Sequence, residues 1–286
     1  MQSIKKLKMG FSLTLDKNLR IKSVNKLRLF HGLNHLLFVH VLILDGFSLY
    51  LLYSLFIWNI IGCFGVSIGY HRLLAHKSFR SYWWFERLCI LIGCLSTGGS
   101  PISWAGSHRM HHDHLDTKQD PHSPKRIGGF KAHFHLWNTE VGKKYVLDLL
   151  KDKFLVSIHK NYYKILALWM GALALIDFRF LIYTYCIPSV IAFHAYGFVN
   201  YLSHTFGYKN FSIPEDSSKN NWFVNLWTCG EGWHNNHHKL PSSYRIGWRW
   251  FEWDISAFVL ERFSLMKTQK ISNPKLVFSK LSSKIS

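Results

Sequence analysis

Four apolar segments limit what this chain can fold into. They run roughly from Leu29 to Leu44, from Phe47 to Ile68, from Tyr162 to Ile176 and from Phe180 to Val199. A bilayer core of roughly 30 Å takes about 20 apolar residues as a helix. The first and third segments are short for that task, and the other two are ample. Inside lipid every backbone polar group must find a partner within the segment, which favours helices. Only Asp45-Gly46 separates the first pair, and only Asp177-Phe178-Arg179 the second. Connections this short imply antiparallel helical hairpins. Pro188 is expected to kink the fourth helix. The expected fold is therefore all-α and integral to the membrane: four transmembrane helices in two hairpins under a cytoplasmic helical cap.

Charge sets the expected orientation. Of 286 residues, 48% are hydrophobic and 16% aromatic, yet the formal net charge is +19. Long apolar runs beside basic stretches describe a membrane body with basic faces at an anionic surface, and argue against nucleic-acid binding as the source of the charge. Residues 1–30 hold eight Lys or Arg against the single acid Asp16, and the hairpin turns are nearly uncharged. The positive-inside rule then places both termini and both large polar regions in the cytoplasm. No linker or repeat divides residues 1–286, so one domain is expected, with a basic N-terminal segment over 1–28 and a basic tail over 266–286. The basic start is no signal peptide, since no cleavage site follows its apolar run. The amphipathic stretches Tyr82–Leu95 and Trp248–Leu265 read as helices lying in the interface. None of the five cysteines forms a CxxC pair, so all read as reduced structural groups.

The 18 histidines are clustered. His71 and His76 form HxxxxH directly after the second apolar segment. His108, His111 and His112 form HxxHH, and His234, His237 and His238 repeat it. Asn200 and His204 stand four apart at the end of the fourth segment. Positions i, i+3 and i+4 share one helix face, so each HxxHH can present three imidazoles to one point. A zinc needs three or four ligands. Nine histidines are too many for one zinc and suit two metals of higher coordination number, and imidazole accepts zinc, iron or copper alike. His31, His35, His40 and His194 lie within apolar segments and read as packed or hydrogen-bonded groups.

The strings GYHRLLAHKSF (69–79), WAGSHRMHHDHLDTKQDPHS (104–123), NYLSH (200–204) and GEGWHNNHH (230–238) closely resemble the Δ9-type branch of the membrane fatty-acid desaturases. This branch includes animal stearoyl-CoA desaturases and bacterial and cyanobacterial acyl desaturases. The resemblance runs from about residue 29 to residue 255. It implies that His71, His76, His108, His111, His112, His204, His234, His237 and His238 bind two irons, with Asn200 holding a metal-bound water. It implies further that Asp120, His122 and Glu231 orient ligands, and that Trp104 lies beside the bent acyl chain. Two positions depart from the animal enzymes: Gly106 replaces an arginine that helps hold CoA, and Tyr196 replaces a threonine at the bend. The segment GGFKAHFHLW does not align cleanly, so the roles of His133 and His135 stay open.

An unactivated methylene cannot be attacked by acid–base chemistry at neutral pH. It needs a strong one-electron oxidant, here two irons with O2 as co-substrate. Electrons must come from outside, because the chain has no haem-attachment CxxCH, no Rossmann fingerprint and no ferredoxin cysteine set. A ferredoxin or a cytochrome b5 system is the expected donor, drawn to the basic face. The expected substrate is a long-chain acyl group, CoA- or lipid-linked. A hydroxylase on the same scaffold is one alternative; a non-enzymatic metal-binding membrane protein is another, disfavoured because the apolar segments lack internal acids. Asn59 and Cys63 share a helix face on the order of 12–18 Å from His71, where a roughly 16–18-carbon chain would end, so they are the expected close of the substrate tunnel.

Overall fold

The structure, a computed structural model, describes residues 18–19, 24–134 and 141–270. Most of the basic N-terminal segment, most of the C-terminal tail and His135 lie outside the described residues.

Helix α1 (Val24–Asp45) turns through residues 46–48 into α2 (Leu49–Ile60), which continues with π winding over Ile61–Ala75. Gly46 makes the turn at a φ of 58°, which costs glycine little. Strand β2 (Phe79–Ser81) and α3 (Trp83–Cys94) follow, then α4 (Pro101–Asp113), α5 (Pro124–Ile127) and α6 (Gly129–Phe134). Strand β3 (Val141–Gly142) pairs antiparallel with β1 (Asn18–Leu19). Helix α7 (Lys153–Ile176) leads into α8 (Phe178–Leu181), a π turn over Ile182–Cys186 and α9 (Ile187–Thr205). The chain closes with α10 (Trp222–Thr228), α11 (His234–Lys239), α12 (Ile255–Arg262) and β4 (Met266–Gln269), which pairs with β2.

Among the described residues, three helical stretches are long and apolar enough to cross a membrane: Leu27–Asp45, Leu49–Ala75 and Phe178–Thr205. The expected third segment forms the second half of α7. The first half of α7 carries Lys153, Lys160 and Lys164, and Ile165–Ile176 extends only roughly 18 Å at 1.5 Å per residue. Of the two expected interfacial helices, Trp83–Cys94 forms with Trp83 and Trp84 exposed, whereas helix within 248–265 is confined to Ile255–Arg262.

Polar contacts tie the long helices together. Asn34 of α1 donates to Ser189 Oγ of α9 at 2.7 Å. Ser54 of α2 donates to the Tyr183 carbonyl at 2.7 Å. Leu33, Leu36, Ile43, Leu52 and Phe56 project outward and exposed, as side chains facing lipid do. The π stretch crosses α3 at backbone contact: a Cβ on Gly65 would stand 2.5 Å from the Gly93 nitrogen. Small residues permit so close an approach. The crossing seats the end of the π stretch, which carries His71, against α3.

Candidate metal centre

The π winding has a direct consequence for the first histidine pair. The amide of His76 donates to the His71 carbonyl at 3.0 Å. That is the i to i+5 bond of a π-helix, a rare winding found at functional sites. It brings an i, i+5 pair to the same side, where an α-helix would splay it. Helix α4 begins with Ser100 accepting from Ser103 N and with Pro101 at its start, a strong N-terminal signal. It carries the first HxxHH, and the six-residue α11 carries the second.

The nine expected histidines gather into two groups. In one, ligand nitrogens of His71, His76, His108, His112 and His237 all lie within 4.8 Å of one another. In the other, His111, His204, His234 and His238 do the same. Each HxxHH is therefore divided. The i, i+4 partners His108 and His112 stay together while His111 joins the second group; His234 and His238 stay together while His237 joins the first. Three imidazoles on one helix face serve two neighbouring points, not one.

Metal ions fit these residues, as the partners of the ring nitrogens show. His111 Nδ1 lies 2.8 Å from Asp120 Oδ1, His238 Nδ1 3.0 Å from Asp216 Oδ2, His204 Nδ1 3.1 Å from Ser217 Oγ and His71 Nδ1 2.6 Å from Glu231 Oε2. A carboxylate beside Nδ1 keeps the proton there and leaves Nε2 as a bare lone pair. The inward nitrogens nevertheless face each other. Nε2 to Nε2 distances are 3.1 Å for His71–His237, 2.8 Å for His76–His108, 2.9 Å for His112–His237 and 3.1 Å for His204–His234. Nε2 of His238 is buried with no hydrogen-bond partner. With the proton on Nδ1 of both rings, such facing lone pairs repel unless a cation joins them. Burial, reinforced by neighbouring imidazoles, pushes His108, His112, His234, His237 and His238 well below the usual histidine range, so these rings are neutral and ready to ligate. Burial would raise the Glu231 carboxyl, but His71 and Arg72 outweigh it and hold Glu231 well below the carboxylate range. Burial is likewise outweighed at Asp120, which its bonds with His111 and the amides of His122 and Asp116 keep ionised.

A cavity opens beside the two groups. Its lining includes His71, His108, His111 and His234, with Trp104, Tyr196 and Asn200. Trp104 stacks on His108 at 5.1 Å between ring centroids, and the Tyr196 hydroxyl donates to Ser96 at 2.7 Å. His122 is fixed by Ser107 Oγ at 3.0 Å and by its own amide donating to Asp120. Along α2 and its π continuation the lining residues before His71 are Trp58, Gly62 and Val66, one position off the expected Asn59 and Cys63. Asn59 donates to the Leu55 carbonyl and lies by Cys229. Cys63 sits in a separate apolar cluster with Cys89, Tyr244 and Ala257. Trp58 is buried, holds the Trp227 carbonyl at 2.8 Å and lies against the face of Gly62. At Gly106 a Cβ would meet Val141 and Val146 at 2.6 Å; an arginine would have no room there. His133 contacts His194 at 3.0 Å, and His194 contacts His35 at 3.1 Å, a chain between α6, α9 and α1 outside both metal groups.

Sequence reasoning missed Asp216, Ser217 and Trp58. Asp216 lies 22 positions before His238, and only the fold brings it beside that ring. Trp58 adjoins Asn59, so helix periodicity pointed to the right turn and the wrong face.

Comparison with known proteins decides the family. Residues 46–254 match the family model described as fatty acid desaturase. The sn-2 palmitoyl-lipid 9-desaturase of Nostoc sp. (strain 36) is 34% identical over 233 residues, covering 77% of this chain and 80% of that protein. The chain belongs to the fatty acid desaturase family. The sn-1 stearoyl-lipid 9-desaturase of Synechocystis sp. is 36% identical over 220 residues, 75% of this chain and 69% of its own length. An acyl-CoA 5-desaturase of Anemone leveillei, AL21, is 33% identical over 219 residues, 73% of this chain and 67% of its own. This desaturase is thus an oxidoreductase of fatty-acyl groups, a membrane protein with a metal site, and it requires a redox partner.

Proposed function

We propose that this desaturase holds two irons in its two histidine groups and uses O2 to insert a cis double bond at the Δ9 position of a long-chain, lipid-linked acyl group. The observation that carries this reading is the placing of two histidine groups side by side on one cavity, whose other walls combine the aromatic and apolar Trp58, Val66, Trp104, Ala195, Tyr196 and Val199 with a few polar groups such as Asn200. Bound iron, with O2, would supply the one-electron oxidising power that an unactivated methylene demands. The chain's own residues supply position, because neighbouring methylenes are chemically alike. Trp104 and Tyr196 would flank the acyl chain beside the metals, Asn200 would hold a water at the four-histidine group, and Trp58 would close the tunnel. Asp120, Glu231 and Asp216 would keep the Nδ1 protons outward. His122, pushed down to about 4 by burial and by His111, stays neutral and would brace the segment that carries Asp120.

Position 9 and a lipid carrier are supported by the names of the cyanobacterial relatives. The walled-in Gly106 argues against the arginine contact that would favour CoA. Four crossings, with the second half of α7 as the extra one, would put both termini, the histidines and the basic face in the cytoplasm, where a ferredoxin or cytochrome b5 could dock. The test is expression in a host stripped of its own desaturases. Lipids are then analysed by mass spectrometry with double-bond localisation and with separate release of each glycerol position. A Δ9 cis product on intact glycerolipid is expected. Hydroxylated acids, or product confined to acyl-CoA, would overturn the reaction or the carrier respectively.

A further inference from the structure

The two histidine groups differ in what stands behind them. In the four-histidine group, His111 is backed by Asp120, His238 by Asp216 and His204 by Ser217. Asp120 and Asp216 otherwise accept from backbone amides and the Ser218 hydroxyl. Among the described residues neither side-chain carboxylate forms an ion pair with Lys or Arg. All four histidines are buried. In the five-histidine group, among the described residues, only His71 has a carboxylate, Glu231, and Arg72 Nη2 takes the other oxygen of that carboxylate at 3.1 Å. Arg72 is in turn paired with Asp254 at 2.9 Å. His76, His108 and His112 are only half-buried. Lys270 donates to the His76 carbonyl at 2.6 Å.

Counting the charges in direct contact separates the two positions. A divalent ion among His111, His204, His234 and His238, with Asp120 and Asp216 behind them, closes to zero. A divalent ion in the other group, with Glu231, Arg72 and Asp254, closes to plus one, before Lys270 is added. Ligand number runs the other way, five imidazoles against four. The balance of charge decides, because an uncompensated charge in a buried site is expensive and an outer-shell partner of a ligand is worth about 10- to 100-fold in metal affinity.

We infer that the two metal positions are unequal. The four-histidine position is the tight site and fills first. The five-histidine position is the labile one, and Glu231, shared with Arg72, is the positioning residue that limits its affinity. The inference rests on the two-metal reading above and deepens it.

The test uses the full-length desaturase in lipid nanodiscs, equilibrated with Co(II) buffered by chelators over a wide range of free concentration. Bound metal per chain is measured together with the cobalt ligand-field absorption. Two steps are expected, one ion per chain and then two, separated by at least tenfold in free Co(II). Glu231→Gln should move only the second step, by about 10- to 100-fold. Asp216→Asn should move the first step toward the second. His112→Ala should leave one tightly held ion per chain, and this half-buried position guards against loss of folding in the other variants. Two ions bound in a single step, or a first step moved by Glu231→Gln, would overturn the inference. Saturation below two ions per chain would instead defeat the two-metal reading.

Discussion

At the scale of single residues, each imidazole at the centre has one job for each nitrogen. In His71, His111, His204 and His238 the outer nitrogen is held by a carboxylate or hydroxyl and the inner one is left to a metal. Removing one ring therefore breaks the chemistry more than the fold, since each ring is one of four or five at its point. Replacing His108, His111, His234 or His238 by Ala should abolish product while leaving the protein in the membrane. Product and bound metal are measured on the same membranes, and wild-type product from two such variants would sink the assignment. Trp58 sets the second residue-scale prediction. Its indole lies across the α2 face of the cavity, against Gly62. Trp58→Ala should shift products toward longer chains, on the order of tenfold in preference for each methylene accommodated. An unchanged chain-length profile in an active variant would place the tunnel end elsewhere. Cys63→Trp belongs to the neighbouring apolar cluster, so it should cost stability by overpacking instead of shortening the product.

At the scale of elements, the HxxxxH turn is held by a clamp from α4. Arg109 donates to the carbonyls of Leu74, Ala75 and Tyr145 and forms a forked pair with Asp148. Lys77 adds a second cation to the same carboxylate. Burial raises the Asp148 carboxyl, but bonds from Arg109 and Lys77 outweigh it and hold the group well below the usual carboxylate range. A depressed carboxylate stabilises the fold fully above its unfolded value of about 3.9, and the contribution is lost as pH falls through the folded value. Asp148→Asn should therefore lower the thermal midpoint at neutral pH, and the gap from wild type should shrink once pH drops below about 4. Calorimetry or tryptophan fluorescence in nanodiscs across pH checks this. A gap that widens on acidification would assign the stabilisation to another group.

At the scale of the whole molecule, the question is how often the chain crosses. Among the described residues, three stretches meet the demands of length and apolarity. The apolar half of α7 runs directly into the stretch Phe178–Thr205 through Asp177, whose side chain accepts from the amides of Arg179 and Phe180. A further crossing there, as proposed above, would pair the helices and return the polar segment that begins near residue 79 to the side of the C-terminal histidines. Reporters at either terminus and within residues 118–130 should all be cytoplasmic, measured by protease protection or by paired phosphatase and fluorescent fusions. One terminus on the opposite side would remove the fourth crossing.

Much of this was legible in the sequence because it depends on local spacing. Apolar length marks the long helices, and box spacing marks nine histidines, since both are properties of a few consecutive turns. The resemblance of the boxes to the desaturases follows from the same local strings. Which imidazole serves which metal point was not legible. An i, i+3, i+4 triplet looks like one site until a second helix arrives from the other side and divides it, as α11 divides the triplet of α4. The backing of His238 by Asp216, the pairing of Arg72 with both Glu231 and Asp254, and the choice of Trp58 over Asn59 as a wall of the cavity were decided by tertiary structure. Each depends on the angle at which elements far apart in the chain meet, and a rotation of one residue on a helix is about 100°, enough to turn a lining side chain into a packed one.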